Sequence, residues 1–328
     1  MIIEDKAYSK FDVNDEVILE LMSSSPMRRI THISQQGIPH EFSTSHIEYS
    51  RYEHCVGVML LLRKLGAGIE EQVSGLLHDV SHTAFSHTTD MIFGDYSKQN
   101  MQDDRHEEFF DRGEIAAILK KHNMDPDRVA NEKLFGFLER NAPDLCADRL
   151  DYSLRDLYYY GNPEYKNMLQ HLIPVNGEIM FDSGDVAVEY GKQYSWLQSN
   201  HYAELKDMAA KYVFSAMIRA AIDSGKLAKS EIMDGTDESV MQIVRKIEDE
   251  KVKKLLDALD KGNYEVVQGG NIELKGKSRY VDPKFIENNT IKRASEISDD
   301  YKAMIDELKK HSADGFKVRI TVNGEDLE

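Results

Sequence analysis

Metal-binding residue types stand in three separate segments of this sequence. His54 lies in a mostly apolar segment, the pair His78-Asp79 lies in a second, and Asp148 lies in a third. Imidazole and carboxylate groups are costly to bury among apolar side chains unless a partner satisfies them, and a cation is a natural partner. Two imidazoles and two carboxylates suit Fe, Mn, Zn or Ni, and Mg is a further candidate. We therefore expect these residues to bind one divalent metal ion, whose identity their spacing does not determine.

A divalent ion in this position is suited to a hydrolytic reaction such as that of a phosphate ester. The ion would lower the pKa of a bound water molecule and neutralise charge on the phosphoryl oxygens. A departing sugar oxygen would also need a proton from an acid, whereas a departing pyrophosphate would not. His82 and His87 follow the metal-binding pair, and Asp90 lies one helical turn after His87, where it can orient the ring. Arg51 lies one turn before His54 and can contact a phosphate oxygen.

Hydrophobic periodicity predicts that helices position these ligands. Apolar residues recur at helical spacing before and through the His78-Asp79 pair, at Val73, Leu76, Leu77 and Val80. Around Asp148, the polar side chains fall on one helical face and the leucines on the other. Arg155 lies on the polar face, and the sequence leaves open whether it pairs with Asp151 or with Asp156.

The rest of the chain is also predicted to be mainly helical. Helices are expected over residues 12–22, 86–93, 106–121, 132–141, 145–160, 195–224, 237–260 and 298–310. Asp125 and Pro126 are expected to begin another helix, as N-cap and first helical residue. The polar segment between Gly94 and Arg105 predicts a mobile loop that acts as a lid.

Two regions favour strands. Residues 177–190 contain two short β-prone runs around Asp182–Asp185, which predicts a hairpin inserted in the helical fold. After residue 261 the pattern is mixed, with strands expected over residues 264–267, 271–274, 279–281 and 318–322. We therefore predict a domain boundary near Gly235, with a helical unit over residues 1–234 and a small α+β unit over residues 235–328.

Composition restricts the class of partner. The chain has 328 residues and a net charge of −17, which argues against a nucleic-acid surface because duplex binding relies on Lys and Arg. No apolar run approaches the ~20 residues of a membrane span, and the first residues do not have the pattern of a signal peptide. We expect a cytoplasmic protein without membrane contact. Cys55 and Cys146 are not spaced as a pair and are expected to be small buried side chains.

The order His54, His78-Asp79, Asp148 resembles the signature of the HD-domain phosphohydrolases. Five segments match the subfamily of dNTP triphosphohydrolases, namely Gln35-Gln36-Gly37, Arg51-Tyr52-Glu53-His54, HDVSHTAFSH from His78, His106-Glu107 and ADRLDYSLRD from Ala147. The resemblance implies a mainly α fold with an HD-domain helical core. It also implies a nucleotide substrate and a homo-oligomeric assembly.

The resemblance also implies roles for individual residues. His87 and Asp90 would be the acid pair, His82 and His106 would contact the α-phosphate, and Glu107 would orient a neighbouring histidine or a water molecule. On the sugar side, the contacts implied with the 3′-hydroxyl and the ribose involve Gln35, Tyr152, Asp156 and, as a further candidate, Tyr212. A tyrosine packed under C2′ would exclude ribose by steric overlap.

The sequence departs from the family pattern at several positions. Ser81 and Thr83-Ala84 stand where the family commonly has glycine and Gly-Pro, and Phe214-Ser215 stand where it has His-Lys. None of these positions is a predicted metal ligand. The matched segments from Gln35 to Asp156 make the first hypothesis the hydrolysis of a dNTP to a deoxynucleoside and triphosphate, by attack of a metal-activated water on the α-phosphorus. A nucleotide phosphomonoesterase or phosphodiesterase is the alternative. A nucleotide-binding regulatory protein without catalytic activity is a third hypothesis.

Overall fold

The computed structural model describes residues 1–45, 47–94, 103–275 and 279–327, and the fold is mainly helical, as predicted. The helices are α1 (Glu16–Met22), α2 (Ser25–Arg29), α3 (Arg51–Lys64), α4 (Ile69–Leu77), α5 (Thr88–Phe93), α6 (Asp103–Asp111), α7 (Glu114–Lys121), α8 (Pro126–Ala130), α9 (Ala147–Tyr159), α10 (Tyr165–Gln170), α11 (Gly184–Leu197), α12 (Leu205–Asp223), α13 (Lys229–Asp234), α14 (Asp237–Val244), α15 (Glu250–Lys261) and α16 (Asp299–Asp314). The strands are β1 (Ile2–Asp5), β2 (Ser9–Asp12), β3 (Leu172–Val175), β4 (Glu178–Phe181), β5 (Tyr264–Leu274), β6 (Lys284–Glu287), β7 (Thr290–Arg293), β8 (Phe316–Val322) and β9 (Glu325–Asp326).

Helix α3 is the central element of the core. It begins with a capping box, in which the Ser50 side chain accepts from the backbone N–H of Glu53 and the Glu53 carboxylate accepts from the backbone N–H of Ser50. Every residue from His54 to Leu62 is buried, because both faces of the helix are in contact with other elements. Helix α3 packs against α4 and α9, which brings together the three segments that contain the predicted ligands.

The strands form three small sheets. β1 and β2 form an antiparallel hairpin at the N-terminus, and β5, β8 and β9 form an antiparallel sheet that packs on α12. The third sheet has the order β3-β4-β6-β7, and β4 and β6 are parallel at Phe181 and Phe285. This pairing crosses the predicted boundary after residue 234, which itself stays a prediction.

The predicted hairpin is present but lies earlier in the chain than expected. β3 and β4 pair around Asn176 and Gly177, which both have positive φ (50° and 78°), as a two-residue hairpin turn requires. The second β-prone run was predicted wrongly, because it forms the first turns of α11. The Ser183 side chain accepts a hydrogen bond from the Val186 backbone N–H (3.4 Å) and so caps this helix.

Two predicted helices are interrupted. The predicted helix over residues 106–121 is divided at Gly113, whose φ of 95° is incompatible with a continuous helix. The predicted helix over residues 195–224 is also divided: α11 ends at Leu197, a π-helical turn follows, and the Glu204 carboxylate caps α12 by accepting from the Asp207 N–H. Asp249 likewise caps α15 and separates it from α14, where one helix was expected.

The predicted helix over residues 132–141 is wrong beyond its first turn. Glu132–Leu134 form one 3-10 turn, and the chain then becomes irregular. The N–H groups of Phe137 and Leu138 both donate to the Glu71 carboxylate (2.7 and 3.1 Å), and the Phe137 carbonyl accepts from Ala147 at the start of α9. These backbone groups therefore bond to neighbouring elements instead of to each other.

The C-terminal region follows the predicted pattern in part. The strands predicted at 264–267 and 271–274 are one strand, β5, with an irregularity between Gln268 and Ile272. Residues 279–281 are irregular and not a strand, and β6 and β7 were not predicted. Asp125 and Pro126 begin α8 as expected. Most of the predicted lid, residues 95–102, lies outside the described residues.

Candidate metal centre and active site

Three of the predicted ligands converge on one point. His54 Nε2 lies 3.0 Å from Asp148 Oδ1 and 3.2 Å from His78 Nε2, and His78 Nε2 lies 3.6 Å from Asp148 Oδ1. His54 is fully buried in α3, His78 is the C-cap of α4, and Asp148 lies in the first turn of α9. A metal ion bound at about 2 Å from each ligand separates those ligands by distances of this size.

Hydrogen bonds at the far side of each ring orient both lone pairs toward this point. The ring Nδ1 of His78 lies 2.8 Å from the carbonyl oxygen of Gly75, which can only accept, so this nitrogen is the donor. The ring Nδ1 of His54 lies 2.7 Å from the Asp151 carboxylate and also donates. In neutral rings the Nε2 atoms are then both acceptors. Two lone pairs facing each other at 3.2 Å repel unless a proton or a metal ion lies between them, and the second is the usual arrangement of metal-binding imidazoles.

Asp79 faces the same point from slightly farther away. Its Oδ2 lies 3.8 Å from His54 Nε2 and 3.7 Å from His78 Nε2. The same oxygen accepts from Arg51 Nη1 at 2.5 Å. Burial favours the neutral acid, but Arg51, His78 and His82 hold the pKa of Asp79 well below its usual value. The carboxylate is therefore ionised at neutral pH, as a metal ligand must be.

The predicted acid pair lies at the edge of this cluster. His87 Nδ1 is 3.6 Å from the Asp90 carboxylate, and the His87 ring contacts the edge of the His82 ring. Loss of water contact lowers the pKa of His87 to about 3, despite the opposing effect of Asp90. Burial lowers the pKa of His82 and of His106 to about 4. All three rings are therefore neutral at pH 7 in the free protein.

A cavity of about 640 Å³ opens beside the metal-binding cluster. The predicted site residues that line it are Gln35, Arg51, His78, Asp79, His87, His106, Glu107, Asp148, Tyr152 and Asp156. The lining thus includes both predicted ligands and residues expected to contact a sugar. Its volume is that of a typical small-molecule site.

Two tyrosines hold the Asp156 carboxylate in the wall of the cavity. Tyr49 donates its hydroxyl to Asp156 Oδ1 (2.9 Å), and Tyr202 donates to Oδ2 (2.8 Å). Burial nevertheless raises the pKa of Asp156 to about 7. The hydroxyl of Tyr152 bonds to the hydroxyl of Tyr194 (2.7 Å), which fixes the face that its ring presents to the cavity.

Four of the predicted site residues do not line the cavity, and one of them is the ligand His54, which is fully buried in α3. His82 and Asp90 are buried behind it, and Tyr212 contacts Arg219 by its ring. The neighbouring Lys211 lines the cavity instead. Phe214 is fully buried against Phe85, so its position supplies no polar group to the cavity.

Further polar residues of the cavity were not predicted. Glu132 lies 3.6 Å from His106 Nε2, and burial raises the pKa of its carboxyl to about 8. Arg149, Lys211 and Arg279 add positive charge, and Arg279 lies over the ring of Tyr152 at 5.6 Å from its centroid. Glu132 lies in a segment predicted to be a helix, so its place in the cavity wall could not be predicted. Arg149 lies next to the predicted ligand Asp148, and of these residues it could most easily have been predicted from the sequence.

Both cysteines are free and buried, as expected. Burial raises the pKa of the Cys146 thiol to about 12. Cys55 Sγ lies 4.0 Å from His78 Nδ1. Among the helices of the described residues, none has the length and apolar composition that crossing a bilayer requires.

Comparison with known proteins identifies a family match that includes the predicted metal ligands. The family model of the HD domain matches residues 51–153. The chain is 34% identical to the uncharacterized protein YdhJ of Bacillus subtilis over 98% of this chain and 99% of that protein. It is 24% identical to the metal-dependent phosphohydrolase cns2 of Cordyceps militaris, with 86% and 84% of the two chains covered.

A more distant relative and a solved structure extend the comparison. A deoxynucleoside triphosphate triphosphohydrolase SAMHD1 homolog of Dictyostelium discoideum is 22% identical, over 56% of this chain and 42% of that protein. The crystal structure of a phosphohydrolase (BT4208) from Bacteroides thetaiotaomicron has a TM-score of 0.68 with 16% identity, and covers 91% of this chain and 94% of its own. This last likeness concerns the fold alone.

Proposed function

Because this chain belongs to the HD-domain phosphohydrolase superfamily, we propose that its substrate is a nucleotide and that it hydrolyses a dNTP to a deoxynucleoside and inorganic triphosphate. The superfamily consists of metal-dependent hydrolases, and the cluster of His54, His78 and Asp148 fits a divalent ion. His54, His78, Asp79 and Asp148 would hold this ion. When bound, it supplies an activated water and neutralises charge on the substrate.

The observation that supports this proposal best is that predicted ligands and residues suited to a nucleotide line the same cavity. Its wall includes His78, Asp79 and Asp148 together with His87, His106, Tyr152 and Asp156. Phosphate oxygens need positive or proton-donating groups, whereas a sugar hydroxyl needs an acceptor such as a carboxylate. Groups of both kinds in one cavity support the proposal of a nucleotide substrate whose α-phosphate lies at the ligands.

His87 is the proposed general acid. Its neutral ring in the free protein has no proton to give, but a bound polyphosphate brings several negative charges next to it and favours the protonated form. Asp90, at 3.6 Å, favours the same form. A protonated ring at this place can donate to the departing 5′-oxygen, which is strongly basic. His82, His106 and Glu107 are proposed to support the phosphate and the surrounding hydrogen bonds.

The contacts proposed on the sugar side use groups that are already held in place. Asp156 accepts from Tyr49 and Tyr202 and keeps further lone pairs that can accept from a 3′-hydroxyl. The Gln35 side-chain oxygen has no hydrogen-bond partner among the described residues, and it lies in the cavity wall. Tyr152 is proposed to pack under C2′, and Tyr212 is retained as a more distant candidate.

Product analysis tests the proposal. Purified protein is incubated with each dNTP and Mn(II), and the phosphate products are separated by ion-exchange chromatography. We expect equal amounts of deoxynucleoside and triphosphate, because attack at the α-phosphorus leaves the three phosphates joined. Release of orthophosphate alone, or no turnover with any divalent metal, contradicts the proposal. Sedimentation of the same preparation tests the expected homo-oligomer, and cell fractionation tests the expected cytoplasmic location.

A nucleotide phosphomonoesterase or phosphodiesterase is the second candidate. It is favoured by Phe214 and Ser215, which are fully buried where the triphosphohydrolases have His-Lys, so these positions cannot contact a polyphosphate. Lys211 and Arg279 are the cations that line the cavity in this region instead. A screen with nucleoside monophosphates and cyclic nucleotides under the same conditions separates the two candidates.

A further inference from the structure

A continuous chain of buried charged groups connects the metal-binding cluster to the N-terminal hairpin. His54 Nδ1 lies 2.7 Å from Asp151 Oδ2. Arg155 donates to both oxygens of Asp151, from Nε at 3.2 Å and from Nη2 at 2.9 Å. The same Nη2 donates to Asp5 Oδ2 at 3.0 Å. Asp5 is the last residue of β1, and its other oxygen accepts from the N–H groups of two residues in the hairpin turn.

The groups in this chain are almost inaccessible to water. Asp151 is fully buried, Arg155 is 1% exposed and Asp5 is 8% exposed. An isolated charge at such a depth is strongly unfavourable, and it is tolerated here because each group has a partner of opposite charge or a proton donor. The guanidinium is also enclosed by aromatic rings, since it lies 5.6 Å from the ring centroids of both Tyr8 and Tyr49.

Gly57 supplies the space that this arrangement needs. It lies in the middle of α3, one turn after His54, where glycine is unfavourable for a helix. A Cβ atom at this position would overlap Arg155 Nη2 and Asp151 Oδ1. A side chain at residue 57 would therefore displace the ion pair that the His54 ring contacts. The helix loses intrinsic stability at this position and gains room for the ion pair.

We propose that Arg155 is a positioning residue for the metal site, acting through Asp151 on the ring of His54, and that Asp5 and the space at Gly57 hold Arg155 in place. This inference rests on the proposed metal-binding role of His54. The two donors of Arg155 fix both oxygens of Asp151, and Asp151 in turn fixes the direction of the His54 ring and the nitrogen that has the proton. The N-terminal hairpin is by this route part of the active site, although it is far from the ligands in sequence.

The planar fork of arginine is necessary for this role. Nε and Nη2 reach the two oxygens of one carboxylate in parallel, and Nη2 also reaches Asp5. A lysine at residue 155 keeps the positive charge but has a single nitrogen, so it cannot fix the plane of Asp151. The substitution Arg155→Lys therefore separates the effect of the positive charge from the effect of the guanidinium geometry.

The test is the metal affinity of the folded full-length protein. Affinity for Mn(II) and Zn(II) is measured by competition with a fluorescent chelator in the wild type and in Arg155→Lys, Asp151→Asn and Gly57→Ala. We expect each variant to bind metal about 10- to 100-fold more weakly, which is the usual effect of losing a group that orients a metal ligand. Gly57→Ala is the most specific of the three, because it removes no polar group. With Co(II), the absorption spectrum should change shape as the ligand geometry changes.

A matched control separates positioning from general destabilisation. Leu255→Ala, in the buried face of α15, removes core packing outside the cavity, so it should lower the melting temperature and leave the metal affinity unchanged. If Arg155→Lys does not fold, Asp5→Asn provides the test, because an amide keeps an oxygen for the hairpin and loses only the charge facing Arg155. Absence of metal binding in the wild type would overturn the proposed function. Wild-type binding with unchanged affinity and unchanged Co(II) spectra in the folded variants would overturn this inference alone.

Discussion

The Nε2 atoms of His54 and His78 lie 3.2 Å apart, and the Nδ1 atom of each ring donates to another group. Two neutral rings oriented in this way present lone pairs to each other, which is repulsive in a buried environment. Asp148 adds a carboxylate oxygen within 3.0 Å of one of these nitrogens. The arrangement is stable when a divalent cation lies among these atoms.

Loss of one ligand should abolish metal binding and turnover together. We expect His78→Ala to contain almost no metal after purification without chelator, whereas the wild type contains about one ion per chain. The loss of affinity should exceed the roughly 10- to 100-fold that more distant contacts cause. Metal analysis and the dNTP assay check both effects. His32→Ala, at an exposed histidine, is the control and should match the wild type.

Substitution of His87 should separate metal binding from catalysis. We expect His87→Ala to keep its full metal content and to lose about 10²- to 10⁴-fold in kcat, the usual contribution of a general acid. Normal hydrolysis by this variant would show that the acid is another group. Glu132 is then the next candidate, because its carboxyl has a pKa of about 8 and holds a proton at neutral pH. Glu132→Gln therefore distinguishes the two assignments.

The stability of the protein should depend on pH through Asp156. Burial raises the pKa of this carboxyl from 3.8 to about 7. The folded state therefore binds this proton more tightly than the unfolded state, so the contribution of Asp156 to stability is greatest below pH 4 and is lost as the pH rises through about 7. A shift of this size corresponds to roughly 4 kcal/mol at pH 7 and above.

Comparison with Asp156→Asn isolates this contribution. The amide cannot ionise, and a tyrosine hydroxyl can accept from it as well as donate. We expect the free energy of unfolding of the variant, relative to that of the wild type, to increase between pH 4.5 and pH 7.5 in urea denaturation. A constant difference over this range would mean that Asp156 titrates near its unfolded-state pKa.

The metal centre was the part of the site most accessible from the sequence. His54, His78 and Asp148 each lie in or at the end of a helix with clear periodicity, and these helices pack on one another along α3. Local pattern therefore determined which groups are buried, and the cost of burying them indicated a cation. The pairing of Arg155 with Asp151 was open in the sequence, because both candidate partners lie within one turn of it.

The breaks in the helices and the unpredicted residues of the cavity wall could not be predicted from the sequence in this way. Residues 132–141 have helical composition, but the carboxylate of Glu71 binds their backbone N–H groups, and this depends on the packing of α4. The pKa of Glu132 and the position of Arg279 likewise depend on how distant segments approach the cavity. Such contacts leave no periodic signal in the chain.

Arg279 should contribute to substrate binding more than to the chemical step. It lines the cavity from the segment before β6, and its guanidinium lies over the Tyr152 ring, which orients it toward the space beside the ligands. A charged hydrogen bond to a phosphate is worth about 1.5–3 kcal/mol, so we expect Arg279→Gln to raise KM roughly 10- to 100-fold. The metal content and kcat should change little. Arg319→Gln, at an exposed position in β8, is the control for the loss of one positive charge. An unchanged KM for Arg279→Gln would mean that the phosphates of the substrate contact other donors of the cavity wall, such as Arg51, His106 or Lys211.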